Sequence, residues 1–190
     1  ESGLFEIRDL AQENKFTAAT MPGSVTQKDV VEDWITHVLS FVDAGKLRPL
    51  NIAVDAGNGM AGKIFPELEP FVPFEVTELY FELDGTFPNH IANPLEPKNL
   101  VDLQAAVKAH GCDAGIAFDG DGDRAVLVDE QGVPLSGTIM TAILAQYFLK
   151  LEPGATILLN AICGRAAAEG GKASGGKASR TRVGHSFIKA

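Results

Sequence analysis

Three aspartates at alternate positions, Asp119, Asp121 and Asp123, stand between two short apolar runs and are followed at once by Arg124, in DAGIAFDGDGDRAVLVDE. Carboxylates this dense repel one another, so the stretch is a loop whose charge needs neutralising. Hard oxygens spaced by glycines suit a small divalent cation such as Mg²⁺. Gly120 and Gly122 let the backbone turn sharply enough for alternate side chains to converge on one point, which β-branched spacers would resist. Arg124 then offers a fixed positive fork for a phosphate beside the metal. A solvated turn is the plain alternative, because Asp and Gly are also common turn residues. The flanks argue against it: residues 114–118 and 125–128 read as buried strands, and α/β folds place ligands at strand ends.

The remaining composition bounds the class of partner. Of 190 residues, 45% are hydrophobic and 22% charged, ordinary for a globular chain of one large or two small domains. A net charge of -9 argues against a nucleic-acid surface or an anionic membrane, both of which need clustered Lys and Arg. A phosphorylated substrate stays compatible through a local basic pocket. Cys112 and Cys163 have neither zinc-site spacing nor a disulfide framework, so two reduced thiols in a cytoplasmic protein are expected. No apolar run is long enough for a transmembrane helix, and ESGLFEIRDL is not a signal peptide; its lack of an initial Met points to a chain that starts inside a longer protein.

Thr26 and Asp29 read as a capping-box start for an amphipathic helix with Val30, Val31, Trp34, Ile35, Val38 and Leu39 on one face. Residues 50–54 read as a buried parallel strand, turned by DAGNGMAG into a helix over 63–68, with the next strand at 74–80. DGTFPNHIANPLEP is an irregular loop before a helix over 98–109. This alternation predicts an α/β fold: a mixed, mostly parallel sheet with helices on both faces, followed by a partial second αβ unit. RAVLVDEQGVPL predicts a hairpin turning at Gln131 and Gly132, and Ser136 can cap a helix through Leu149. Residues 1–135 form the first expected domain and 136–190 the partial second, with strands over 156–159 and 180–183. The tandem pentapeptide GGKASGGKAS, Gly170 to Ser179, opposes a stable helix and reads as a mobile linker.

Several stretches imitate known sites. Gly57, Gly59 and Gly62 spell GxGxxG between a strand and a helix, the layout of a dinucleotide-binding turn, with Glu82 or Asp84 as the ribose acid. This Rossmann-type reading of Gly57–Gly62 is the alternative functional hypothesis, and a structural tight turn competes with it. Asp55 at the mouth of that turn would repel a pyrophosphate. GNGMAGK lacks a P-loop's metal-binding hydroxyl, because Ile64 follows Lys63. The aspartate loop resembles an EF-hand, but Arg124 stands where that loop needs Gly. It also resembles an aspartyl-phosphate motif, in which the first Asp is a nucleophile, but Asp123 stands where Thr or Val is usual. His37, His90 and His110 read as structural or solvated; His185, in RVGHSFIK, follows a short strand with Gly184 beside it and Lys189 a turn away.

FDGDGDRAVLVDEQG, taken with VDAGNGMAG and DGTFPNHIANPLEPKNL in this order, resembles the α-D-phosphohexomutase family of phosphomannomutases and phosphoglucomutases. The match runs from Asn51 to Gly132, and RVGHSFIKA resembles a second anchor. The resemblance implies that residues 1–135 correspond to the family's second, metal-binding domain and 136–190 to part of its third. It further implies that Asp119, Asp121 and Asp123 ligate Mg²⁺, that Arg124 contacts the phosphoryl group, and that His185 and Lys189 approach a phosphorylated hexose. The implied reaction moves phosphate between the 1 and 6 positions of the sugar by way of a phosphoserine. No Ser-His-Asn-Pro loop occurs in these residues, so the fragment is expected to be inactive alone. No nucleic acid or membrane partner is implied.

Overall fold

A computed structural model describes residues 3–17 and 19–188. Four strands, β1 (Leu50–Asp55), β2 (Phe74–Leu79), β3 (Ala114–Phe118) and β4 (Ala125–Asp129), form one sheet in the order β2-β1-β3-β4. The first three are parallel and β4 is antiparallel to β3. The register places Asp55 opposite Leu79 on one side and Ala117 on the other, so the turn that leaves β1 lies beside the loop that leaves β3.

Small residues let a helix settle on the sheet. α4 (Val101–His110) buries Leu103 and Val107 against Ala53, Ala117 and Val128. At Gly115 a Cβ would sit 2.8 Å from a Val107 methyl, so a larger residue would lift the helix. Each fully buried aliphatic side chain in this layer contributes roughly 2 kcal/mol. On the opposite face, Phe65 of α3 (Ala61–Leu68) meets Phe118 and Phe81 with ring centroids 6.2 Å apart in both cases. α2 (Val31–Leu39) buries Ile35. Asp29 accepts the Val31 N–H at 3.0 Å, in place of the capping box expected from Thr26. A short 3₁₀ turn over Pro97–Leu100 precedes α4, where the sequence suggests the helix itself.

The predicted hairpin forms after β4. Asp129 Oδ1 accepts the N–H groups of Gln131 and Val133, Gly132 adopts φ +78°, and Leu135 N–H donates to the Leu127 carbonyl. Ser136 accepts the Ile139 N–H and opens α5 (Gly137–Leu151). α1 (Leu4–Gln12), for which the sequence suggests no element, has no buried residue.

The pentapeptide repeat is a correction. Its first copy ends α6 (Arg165–Ala173), and its second runs through a turn into β6 (Lys177–Thr181), which pairs in parallel with β5 (Thr156–Asn160). Tertiary packing overrides the poor intrinsic propensity. Gly171 is buried beside Ile157, and a Cβ at Gly176 would lie 2.6 Å from both Leu149 methyls and 3.1 Å from the Ala155 carbonyl. Gly171 and Gly176 are therefore contact points, and the strand expected at 180–183 begins three residues earlier, at Lys177. No helix among the described residues is long and apolar enough to cross a membrane.

Candidate metal site and the loops that support it

The hairpin between β3 and β4 brings the three aspartates together. One carboxylate oxygen from each of Asp119, Asp121 and Asp123 lies within 4.8 Å of the others. Asp119 is buried, whereas Asp121 and Asp123 are exposed, so the cluster has a fixed root and an open mouth. Gly122, at φ +76°, supplies the left-handed step, and its N–H donates to the Asp119 carbonyl at 3.1 Å. The donor set is oxygen alone, which fits a hard divalent cation and suits neither zinc nor copper well.

Arg124 anchors the root. Its backbone N–H donates to Asp119 Oδ1 at 3.0 Å and its Nε to Oδ2 at 2.6 Å, with Asp123 Oδ1 at 3.6 Å from Nε. Burial pushes the Asp119 carboxyl up, but these Arg124 hydrogen bonds and the guanidinium charge outweigh it and hold the group below its ordinary range. The half-exposed guanidinium thus spends its Nε on Asp119, while its terminal Nη groups have no hydrogen-bond partner among the described residues.

The glycine turn after β1 serves this loop. Met60 N–H donates to the Gly120 carbonyl at 3.0 Å, and a Cβ at Gly59 would lie 2.8 Å from that carbonyl. Gly62 faces the Phe81 backbone, whose Cα would be 2.7 Å from an added Cβ. The N–H groups of Gly57, Asn58 and Gly59 are given to Asp55 Oδ1, the Tyr80 carbonyl and the Ala56 carbonyl. Space and donors that a pyrophosphate would use are filled by protein, so nothing favours the dinucleotide reading of Gly57–Gly62.

His90 is placed differently from the other expected structural histidines. His37 and His110 are exposed, with His37 edge-on to Phe41. His90 is mostly buried, its Nε2 lies 3.0 Å from Oδ2 of the buried Asp55, and its ring packs edge-on against Tyr80. Sequence reasoning missed this pair because 35 residues separate the partners. The acid at the end of β1 and the FPNH segment were its only visible signals. His185 opens the short helix His185–Ile188 and only its backbone is described. Lys189 lies outside the described residues.

A family model for phosphoglucomutase/phosphomannomutase alpha/beta/alpha domain II matches residues 32–132. A phosphomannomutase from Vibrio cholerae is 36% identical over all of this chain and 42% of its own length. A phosphoglucomutase from Neisseria meningitidis serogroup B is 40% identical over 97% of this chain and 40% of its own length. The crystal structure of a phosphoglucomutase/phosphomannomutase family protein from Burkholderia thailandensis superposes with a TM-score of 0.88 at 33% identity, covering all of this chain and 40% of that one. The chain thus spans about two-fifths of the length of the relatives it matches. On the strength of the family match and of a fold shared over its whole extent, the chain belongs to the phosphoglucomutase/phosphomannomutase family.

Proposed function

We propose that this chain is the metal-binding part of an intramolecular phosphotransferase, a phosphomannomutase/phosphoglucomutase that moves phosphate reversibly between the 1 and 6 positions of a hexose through a phosphoserine. The observation that carries this reading is the convergence of three carboxylate oxygens within 4.8 Å at a strand end. Residues 1–135 are proposed as the metal-binding domain and 136–190 as part of the next.

Asp119, Asp121 and Asp123 are the residues that would hold Mg²⁺. When bound, the ion supplies charge neutralisation for a transferring phosphoryl group. Asp119, fixed by Arg124, sets the direction of the site, and the outer carboxylates complete it from the exposed side. The free terminal end of Arg124 is suited to grip a phosphoryl oxygen while Nε keeps Asp119 in place. His185 and Lys189 are proposed to approach the sugar phosphate. With no Ser-His-Asn-Pro loop in its sequence, the chain is expected to bind metal without turnover.

The test is calorimetric titration of Mg²⁺ or Mn²⁺ into the chain and into Asp121→Asn, together with mutase assays of the same variant in the full-length relative. Loss of an outer carboxylate should weaken metal binding by at least about tenfold and lower turnover accordingly. Equal affinity and equal turnover in the variant would defeat the assignment.

A further inference from the structure

We propose that Asp55 and His90 are positioning residues for the aspartate loop, and that the segment Phe87–Ala92 is the buttress through which they act. The proposal rests on the metal reading above only for its consequence; the mechanical claim stands on the geometry. Gly120, between two of the three ligands, is gripped from two sides. From one side Met60 N–H holds its carbonyl at 3.0 Å. From the other, the Phe87 ring and the Ala92 methyl come within 3.4 and 3.8 Å of where a Gly120 Cβ would stand.

Both grips trace back to one buried pair. Asp55, 1% exposed, turns Oδ1 to the Gly57 N–H at 2.9 Å and Oδ2 to His90 Nε2 at 3.0 Å, so one carboxylate ties the glycine turn to the buttress. The Ile91 carbonyl, 3.0 Å from Nδ1, can only accept, so Nδ1 carries a proton, and the contact between Nε2 and Asp55 Oδ2 is a hydrogen bond through a second proton held by the pair. Asn89 Nδ2 donates to Asn58 Oδ1 at 2.8 Å, and Asn58 Nδ2 donates to the Glu82 carbonyl at 2.8 Å, a second tie between the same segments. Ala92 also lies 3.1 Å from where a Gly57 Cβ would be. Removing the His90 ring would free Asp55 to reorient, loosen the Gly57–Met60 turn and release Gly120.

The test compares His90→Ala, His90→Gln, Asn89→Ala and Leu103→Ala in the full chain by amide hydrogen exchange and by Mn²⁺ titration monitored by electron paramagnetic resonance. In His90→Ala, protection of the Met60 amide relative to the Val54 amide should fall about tenfold, with a similar loss of Mn²⁺ affinity. His90→Gln, whose amide can still hydrogen-bond Asp55, should keep both within about threefold, and Asn89→Ala at its exposed site should lower the ratio about threefold. Leu103→Ala opens a cavity under α4 and should lower overall stability while leaving the Met60 to Val54 ratio and the Mn²⁺ affinity unchanged. An unchanged ratio in His90→Ala overturns the proposal, as does an equal change in Leu103→Ala. If His90→Ala does not fold, an unchanged ratio in Asn89→Ala overturns it instead. A parent chain that binds no Mn²⁺ refutes the metal reading alone, because the exchange ratio still decides whether the pair positions the loop.

Discussion

Arg124 Nε lies 2.6 Å from Asp119 Oδ2 while the backbone N–H of the same arginine lies 3.0 Å from Oδ1, so one residue satisfies both oxygens of a buried carboxylate. Asp119→Asn replaces one accepting oxygen with a donor and should destabilise the chain by roughly 2 kcal/mol, the worth of a charged hydrogen bond, measured by urea unfolding at neutral pH. The sign with pH is fixed by the lowered group. Its contribution is complete above the ordinary Asp value of 3.8 and is lost as pH falls through the lower folded value. The difference between parent and Asp119→Asn should therefore shrink below pH 3.8. Asp55 works the other way, since burial, only partly offset by His90, raises it and its contribution is lost as pH rises. Subtracting the two proteins cancels Asp55, and a difference that persists in acid would contradict the Arg124 anchor.

Gly62→Ala places a methyl into the Phe81 backbone, which has no flexible end to move aside. The expected cost is about 1–3 kcal/mol of stability. Gly85→Ala, where nothing lies within 4 Å, is the matched control and should be near neutral. Thermal melts of the two variants read the difference, and a Gly62→Ala melt at the parent value would show that the Phe81 backbone does not pack against this position.

The parallel strands and the aspartate loop were legible because each is local. Short, mostly apolar runs that end at Asp55 and Asp119 mark β1 and β3, and the alternating Asp-Gly spacing itself announces three neighbouring carboxylates in one turn. The support of that loop was not legible. Asp55 meets His90, and Gly120 meets Met60, only after strands distant in sequence have paired, and no periodicity announces such a contact. Left-handed backbone at Asn58, Tyr80 and Phe87, at φ +60°, +57° and +51°, is likewise imposed by tertiary bonds to residues without the usual glycine signal. Arg124 follows the aspartates directly in sequence, but that its Nε is committed to Asp119 is a side-chain contact that composition alone could not show.

Tyr80 donates its hydroxyl proton to Asp102 Oδ2 at 2.7 Å. That bond foremost, then burial and the negative charges of Asp102 and Asp55, pushes the phenol up to about 12 from an ordinary 10.0. Because the folded value is the higher one, the stabilisation is complete below pH 10 and is lost as pH rises from there through about 12. The chain has two tyrosines, so in Tyr147→Phe the phenolate absorbance belongs to Tyr80 alone and should appear near 12. Titration at the ordinary value would show that the bond to Asp102 does not form.

Two identical pentapeptides in different structures give predictions of opposite sign. Gly170 opens the first copy inside α6, where a Cβ would make ordinary contact with Ala142 at 3.5 Å. Gly175 opens the second copy at φ +83°, in open space, where the left-handed backbone excludes a comfortable side chain. Gly170→Ala should thus stabilise the chain by about 0.5–1 kcal/mol through helix propensity. Gly175→Ala should destabilise it by roughly 1 kcal/mol through strain at the turn. Chemical denaturation of the two variants reads both values. A flexible linker would render both substitutions silent, whereas a shift of equal sign in the pair would mean that the repeat does not divide into helix and turn at Ser174.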